Sequence, residues 1–107
     1  MSDKVELIAA AQVNVVSGTP GSITFNSNFG FDTASRGSDG VYSLELDHKH
    51  DAKKLVINPS LNGGVSGQIA AAPVGTGDTK TIAISAFDGT NTPADSSFFI
   101  TVYRVRS

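Results

Sequence analysis

Apolar and polar residues alternate with a period of two in short runs along the chain, and turn residues separate the runs. "VYSLEL" at 41–46 puts Tyr42, Leu44 and Leu46 on one face and Ser43 and Glu45 on the other. "KTIAISAF" at 80–87 does the same with Ile82, Ile84 and Ala86. "AQVNVV" at 11–16, "ITF" at 23–25 (Ile23 and Phe25 on one face), "LVI" at 55–57, "QIAAA" at 68–72 and "SFFITVYRV" at 97–105 complete the series. The spacing predicts about eight strands in an all-β sandwich or barrel, and no stretch shows a helical period. Glycine serves the turns "RGSDG" at 36–40 and "LNGG" at 61–64, and Pro59 ends the strand before it. "SGTPGS" at 17–22, "VGTGDTK" at 74–80 and "DGTNTPADS" at 88–96 read as further connections.

The run "SSFFITVYRV" stands apart because both of its faces carry large apolar groups. A strand of that kind is expected to be covered on both sides. In a chain of 107 residues without cysteine, the second cover is either a central place in a sandwich or another subunit.

Composition agrees with the β reading: glycine is frequent, and Val, Ile, Phe and Ala supply most of the apolar side chains. The length suits one domain over 1–107. If Met1 is the natural start, that domain is a whole gene product. Glu6, Gln12 and Asn14 interrupt the first apolar run, which makes it a poor signal peptide. No stretch approaches the roughly 20 apolar residues of a membrane span. A net charge of −2, with eight Lys and Arg scattered along the chain, argues against a nucleic-acid partner.

Catalytic motifs are nearly missing. "GGVSG" at 63–67 lacks the spacing of a nucleophile elbow, "GTGD" does not continue into a phosphate loop, and no thiolate chemistry is open to a chain without cysteine. The expectation is a protein that is not an enzyme and needs no cofactor. Asp88, Asn91 and Asp95 could offer oxygen ligands to calcium, but at lower density than a dedicated calcium loop, and Asx-turn chemistry is the better account of them.

"DHKHD" at 47–51 holds both histidines of the chain, His48 and His50. On an extended segment the two imidazoles point to the same side. Two ligands do not close a transition-metal site, but three copies meeting on a three-fold axis would present six nitrogens, an octahedral set. The competing reading is a solvated connection between the strand ending at Leu46 and the one starting near Leu55.

Residues 39–105 resemble a short β-sandwich module of bacteriophage virion proteins. The resemblance rests on "G-x-Y-x-L" (Gly40, Tyr42, Leu44), an Asp-Ala turn (Asp51, Ala52), Pro59, "T-I-x-I-x-x-F-D" (Thr81, Ile82, Ile84, Phe87, Asp88), and "D-x-x-F-x-I-x-V" (Asp95, Phe98, Ile100, Val102). Such modules look like the trimeric complement-type and tumour-necrosis-factor-like jelly rolls, so the resemblance implies an all-β, jelly-roll-like β-sandwich of about eight antiparallel strands. The resemblance implies a virion structural protein made in the host cytoplasm, a homotrimer whose interface uses Phe87, Phe98, Phe99, Ile100 and Tyr103. Residues 1–38 would be an N-terminal strand or exchanged arm. A module standing nearly alone suits a capsid decoration or cement protein, with the major capsid protein as partner. The alternative it implies is a receptor- or carbohydrate-binding tail-fibre tip using loops 58–64, 74–79 and 88–96.

Overall fold

A computed structural model describes residues 4–18, 21–62 and 67–106. Eight strands account for most of them: β1 Lys4–Val16, β2 Ser22–Phe29, β3 Phe31–Ser38, β4 Val41–Asp51, β5 Leu55–Leu61, β6 Gly67–Pro73, β7 Asp78–Asp88 and β8 Phe98–Arg106. They form two four-stranded antiparallel sheets packed as a sandwich, the first of the two all-β architectures that the alternation allows and the one that the resemblance implies. Sheet I runs β2-β1-β8-β5 and sheet II runs β3-β4-β7-β6, so the first and last strands lie side by side in the middle of sheet I.

The core lies between the sheets and follows the pattern of two. Tyr42, Leu44 and Leu46 of β4 and Ile82, Ile84 and Ala86 of β7 meet Ala9, Ala11 and Val13 of β1 and Phe98, Ile100 and Val102 of β8. Each large side chain enclosed there contributes roughly 1.5–3 kcal/mol through lost contact with water. Tyr42 and Phe98 stack across the two sheets with ring centroids 5.6 Å apart.

Two elements depart from plain alternation. In β1, Leu7 lies opposite Tyr103 but Ala9 lies opposite Val102, because a bulge at Ile8 inserts one residue. Leu7 therefore faces outward while Ala9 is fully buried. β3 pairs with β4 through two further register shifts, which place Phe31 opposite Leu46 and Arg36 opposite Tyr42 on the inner face. Between β2 and β3 the chain crosses sheets at Gly30, whose φ is +84° and where a Cβ would lie 2.1 Å from the Ile8 carbonyl oxygen.

"DHKHD" is not the connection after β4. The strand continues through Asp51, and the turn is a 3-10 segment, Ala52–Lys54, which Asp51 caps by accepting from the Lys53 backbone N–H at 3.1 Å. Glu45 pairs with Thr81 and His50 with Thr79, so four residues of β4 oppose the single residue Lys80 of β7. The ladder bulges there and resumes at His50, with Asp47, His48 and Lys49 exposed.

Candidate functional site

The surface that sets this molecule apart is the outer face of sheet I. Its cross-strand rows read Val5–Val105, Leu7–Tyr103–Val56, Phe29–Ala10–Thr101–Asn58 and Ser27–Gln12–Phe99–Ser60. None of these side chains is charged. Val5, Leu7, Phe29, Val56 and Phe99 are all exposed, Phe29 by 56%. Phe29 and Phe99 flank a shallow depression of about 530 Å³ with Ala10 and Thr101 on its floor. Single exposed apolar residues are ordinary, but a contiguous set marks an interaction surface.

The outer face of sheet II is built differently. Its rows read Ser35–Ser43–Ala83–Ala72 and Val41–Ser85–Ala70, with Glu45 between Thr33 and Thr81. Small hydroxyl and methyl groups cover it, and of its large apolar side chains Phe87 pairs with Gln68 beside an isolated bridge to Pro93.

The five residues expected at a trimer interface separate accordingly. Phe98 and Ile100 are 0% and 1% exposed, inside the chain's own core, and offer no surface to a partner. Phe87 lies on the opposite sheet from the other aromatics. Phe99 and Tyr103 share the uncharged face. The two-sided cover expected of the last strand is therefore half internal: β8 is central in its sheet, and only its inner face is enclosed. Phe29 and Leu7 were not legible as members of this face. Phe29 sits at the end of β2, beyond the "ITF" segment that alternation picks out, and Leu7 depends on the bulge at Ile8.

One end of the sandwich carries a buried carboxylate. The Asp95 side chain is 2% exposed. It accepts from Arg36 Nη2 at 2.7 Å and Nε at 3.1 Å, from the Gly40 N–H at 2.9 Å, from Tyr42 Oη at 2.9 Å and from Ser17 Oγ at 3.0 Å. Tyr42 Oη in turn accepts from the Ser96 N–H at 3.1 Å. The Arg36 guanidinium first, and then the Gly40, Tyr42 and Ser17 donors, hold the Asp95 carboxyl well below the usual carboxylate range, against the opposing effect of burial. Burial is the chief cause that raises the Tyr42 phenol far above its ordinary value. Every acceptor position of Asp95 is committed inside the protein, so it is a strut and not a calcium ligand. Asp88 is likewise engaged, accepting from the backbone N–H groups of Thr90 and Thr92. Asn91 adopts φ +68° in that turn, as the Asx reading expects. No group of three or more His, Asp or Glu able to hold a metal occurs among the described residues.

The opposite end gathers the cations. Lys4 pairs with Arg106, Arg104 lies opposite Glu6 and Leu55, Lys49 sits in the β4 bulge, Lys53 and Lys54 form the turn, and Lys80 adjoins Thr79. Seven of the eight Lys and Arg therefore meet at this end, scattered in sequence but close in space. Both histidines join them. His50 is half-buried, and burial first, then Arg104 and His48, lower its pKa. His48 lies within the bulge and is exposed, whereas His50 is half-buried where the ladder resumes opposite Thr79.

Comparison of the chain with protein-family models, with curated proteins and with solved structures finds no match.

Proposed function

We propose that this chain is a non-enzymatic structural protein that assembles with copies of itself through the outer face of sheet I, as a trimer that decorates and stabilises a bacteriophage capsid. The observation that carries self-assembly is the uncharged apolar face itself. Burying a charge without a partner is costly, so a surface that gives up water must meet another uncharged surface. A second copy supplies one. Phe29 and Phe99 are the anchors, the type of large aromatic side chain on which interfaces concentrate their energy. The phage assignment rests on the resemblance of residues 39–105 and on nothing in the geometry. In that reading the mechanism is associative: each contact between trimer and shell raises the free energy needed to open the shell.

Light scattering on the purified protein tests the assembly, with a mass of three chains expected. Phe99→Glu places a charge in the middle of the face and should give a folded monomer, its thermal transition retained. A wild-type monomer at all accessible concentrations overturns the assembly reading. Co-sedimentation with purified capsids tests the decoration reading, and a trimer that stays in the supernatant overturns it.

A further inference from the structure

The clustering of cations at one end has no role in self-assembly through sheet I. Lys49, Lys53 and Lys54 are exposed and, among the described residues, join no salt bridge. Among the described residues, one ion pair occurs at this end, linking Arg104 to Glu6 at 2.5 Å. The fold itself brings the three lysines forward: the bulge lifts Lys49 out of the β4–β7 ladder, and the capped 3-10 turn sets Lys53 and Lys54 at the corner between the sheets. At the far end Arg36 is the one cation among the described residues, and it stands against Asp39, Asp88 and Asp95. Where β4 ends, the seven cations outnumber the carboxylates Glu6, Asp32, Asp47, Asp51 and Asp78, and where β3 ends the carboxylates outnumber Arg36, so the molecule carries a modest charge asymmetry along its strands.

We propose that the end formed by the β4 bulge and the Ala52–Lys54 turn docks onto an acidic protein surface. Within the decoration reading, on which this assignment of the partner rests, that surface belongs to the capsid shell. Carboxylates such as Asp47, Asp51 and Asp78 stand among the cations. The rigid, evenly spaced phosphates of a duplex cannot avoid them, whereas the carboxylates of a polypeptide stand on flexible side chains and can engage the lysines between them. Lysine suits the role because its ammonium group reaches across an aqueous rim on a flexible stem.

The test uses fluorescein-labelled poly-L-glutamate as the acidic probe, followed by anisotropy at low and physiological salt, with duplex DNA of equal charge in parallel. Wild-type protein should bind poly-glutamate, more weakly as salt rises. The combined variant Lys49→Glu, Lys53→Glu, Lys54→Glu should lose at least tenfold in affinity. Asp39→Asn with Asp88→Asn, at the other end, should leave binding within twofold. Thermal melting of the triple variant, expected within a few degrees of wild type, shows that the loss is not unfolding. No binding by wild type, an unaltered affinity in the triple variant, or tighter binding to DNA than to poly-glutamate each overturns the proposal. Mass by light scattering separates the two readings. A monomer that binds poly-glutamate breaks the assembly reading alone, and a trimer that ignores poly-glutamate breaks this one alone.

Discussion

The two ends of the sandwich solve the problem of charge in opposite ways. Where β3 turns into β4, one carboxylate is taken out of water and given a full set of donors. Arg36, Gly40, Tyr42 and Ser17 come from three separate stretches of chain, and Asp95 holds all of them. Where β4 turns into β5, the charges stay in water, and the one ion pair there among the described residues is partly exposed on both sides. Removing one partner from a buried, hydrogen-bonded network is costly, while exposed ion pairs contribute little. One end is therefore a structural lock, and the other is free to be surface.

Substitutions at the two ends should differ in proportion. Asp95→Ala is expected to have the largest effect: it leaves Arg36, Tyr42 and the Gly40 N–H without their acceptor and should lower unfolding free energy by about 3–5 kcal/mol in denaturant titration. The same carboxylate fixes the acid limit. Its folded pKa lies below the value of about 3.9 in an unfolded chain, so its contribution is complete above that pH and declines as pH falls toward the folded value. Melting temperature recorded from pH 5 to pH 2 should therefore fall for wild type and fall less steeply for Asp95→Asn. Tyr42→Phe keeps the stacked ring but removes the hydroxyl between Asp95 and the Ser96 N–H, at a cost of about 1–2 kcal/mol by the same titration.

The smallest effect belongs to the other end. His50 has a folded pKa below its ordinary value of about 6.5, so the unfolded chain takes up a proton first as pH falls. Its contribution to stability is present above that pH and is lost as pH drops through the folded pKa, a gentle slope that His50→Gln should abolish in melts between pH 7.5 and 5.5. A slope that survives the substitution would mean that the half-buried imidazole is not its source. Equal losses from Asp95→Ala and Lys53→Ala would erase the distinction between lock and surface altogether.

How much of this the chain discloses depends on whether alternation is kept. β4, β7 and β8 alternate without interruption across their buried stretches, so Tyr42, Leu44, Leu46, Ile82, Ile84, Phe98, Ile100 and Val102 could be assigned to a face by counting. β3 could not. "FDTASRGS" is mostly polar and carries two bulges, and its tail overlaps a stretch that reads as a turn. The same limit hid Leu7, whose outward direction follows from a bulge that no composition marks. Asp95 had the opposite fate: its place in a polar loop suggested a ligand, while its partners Arg36 and Tyr42 lie more than 50 residues away. The gathering of seven cations at one end is a matter of topology, since antiparallel strands bring "HKHDAKK" beside both Lys4 and Arg106.

The place of β8 between β1 and β5 also sets a timetable. β1 can pair with β2 as soon as both exist, but its other edge stays open until β8 arrives, and β5 has no ladder partner at all before then. Contacts that close so long a loop form late, because the entropy of closure comes before the reward. Folding should therefore be slow for a domain of this size, and a ribosome-bound chain lacking β8 would display the open edge of β1 and an unpaired β5, which are the usual starting points of aggregation.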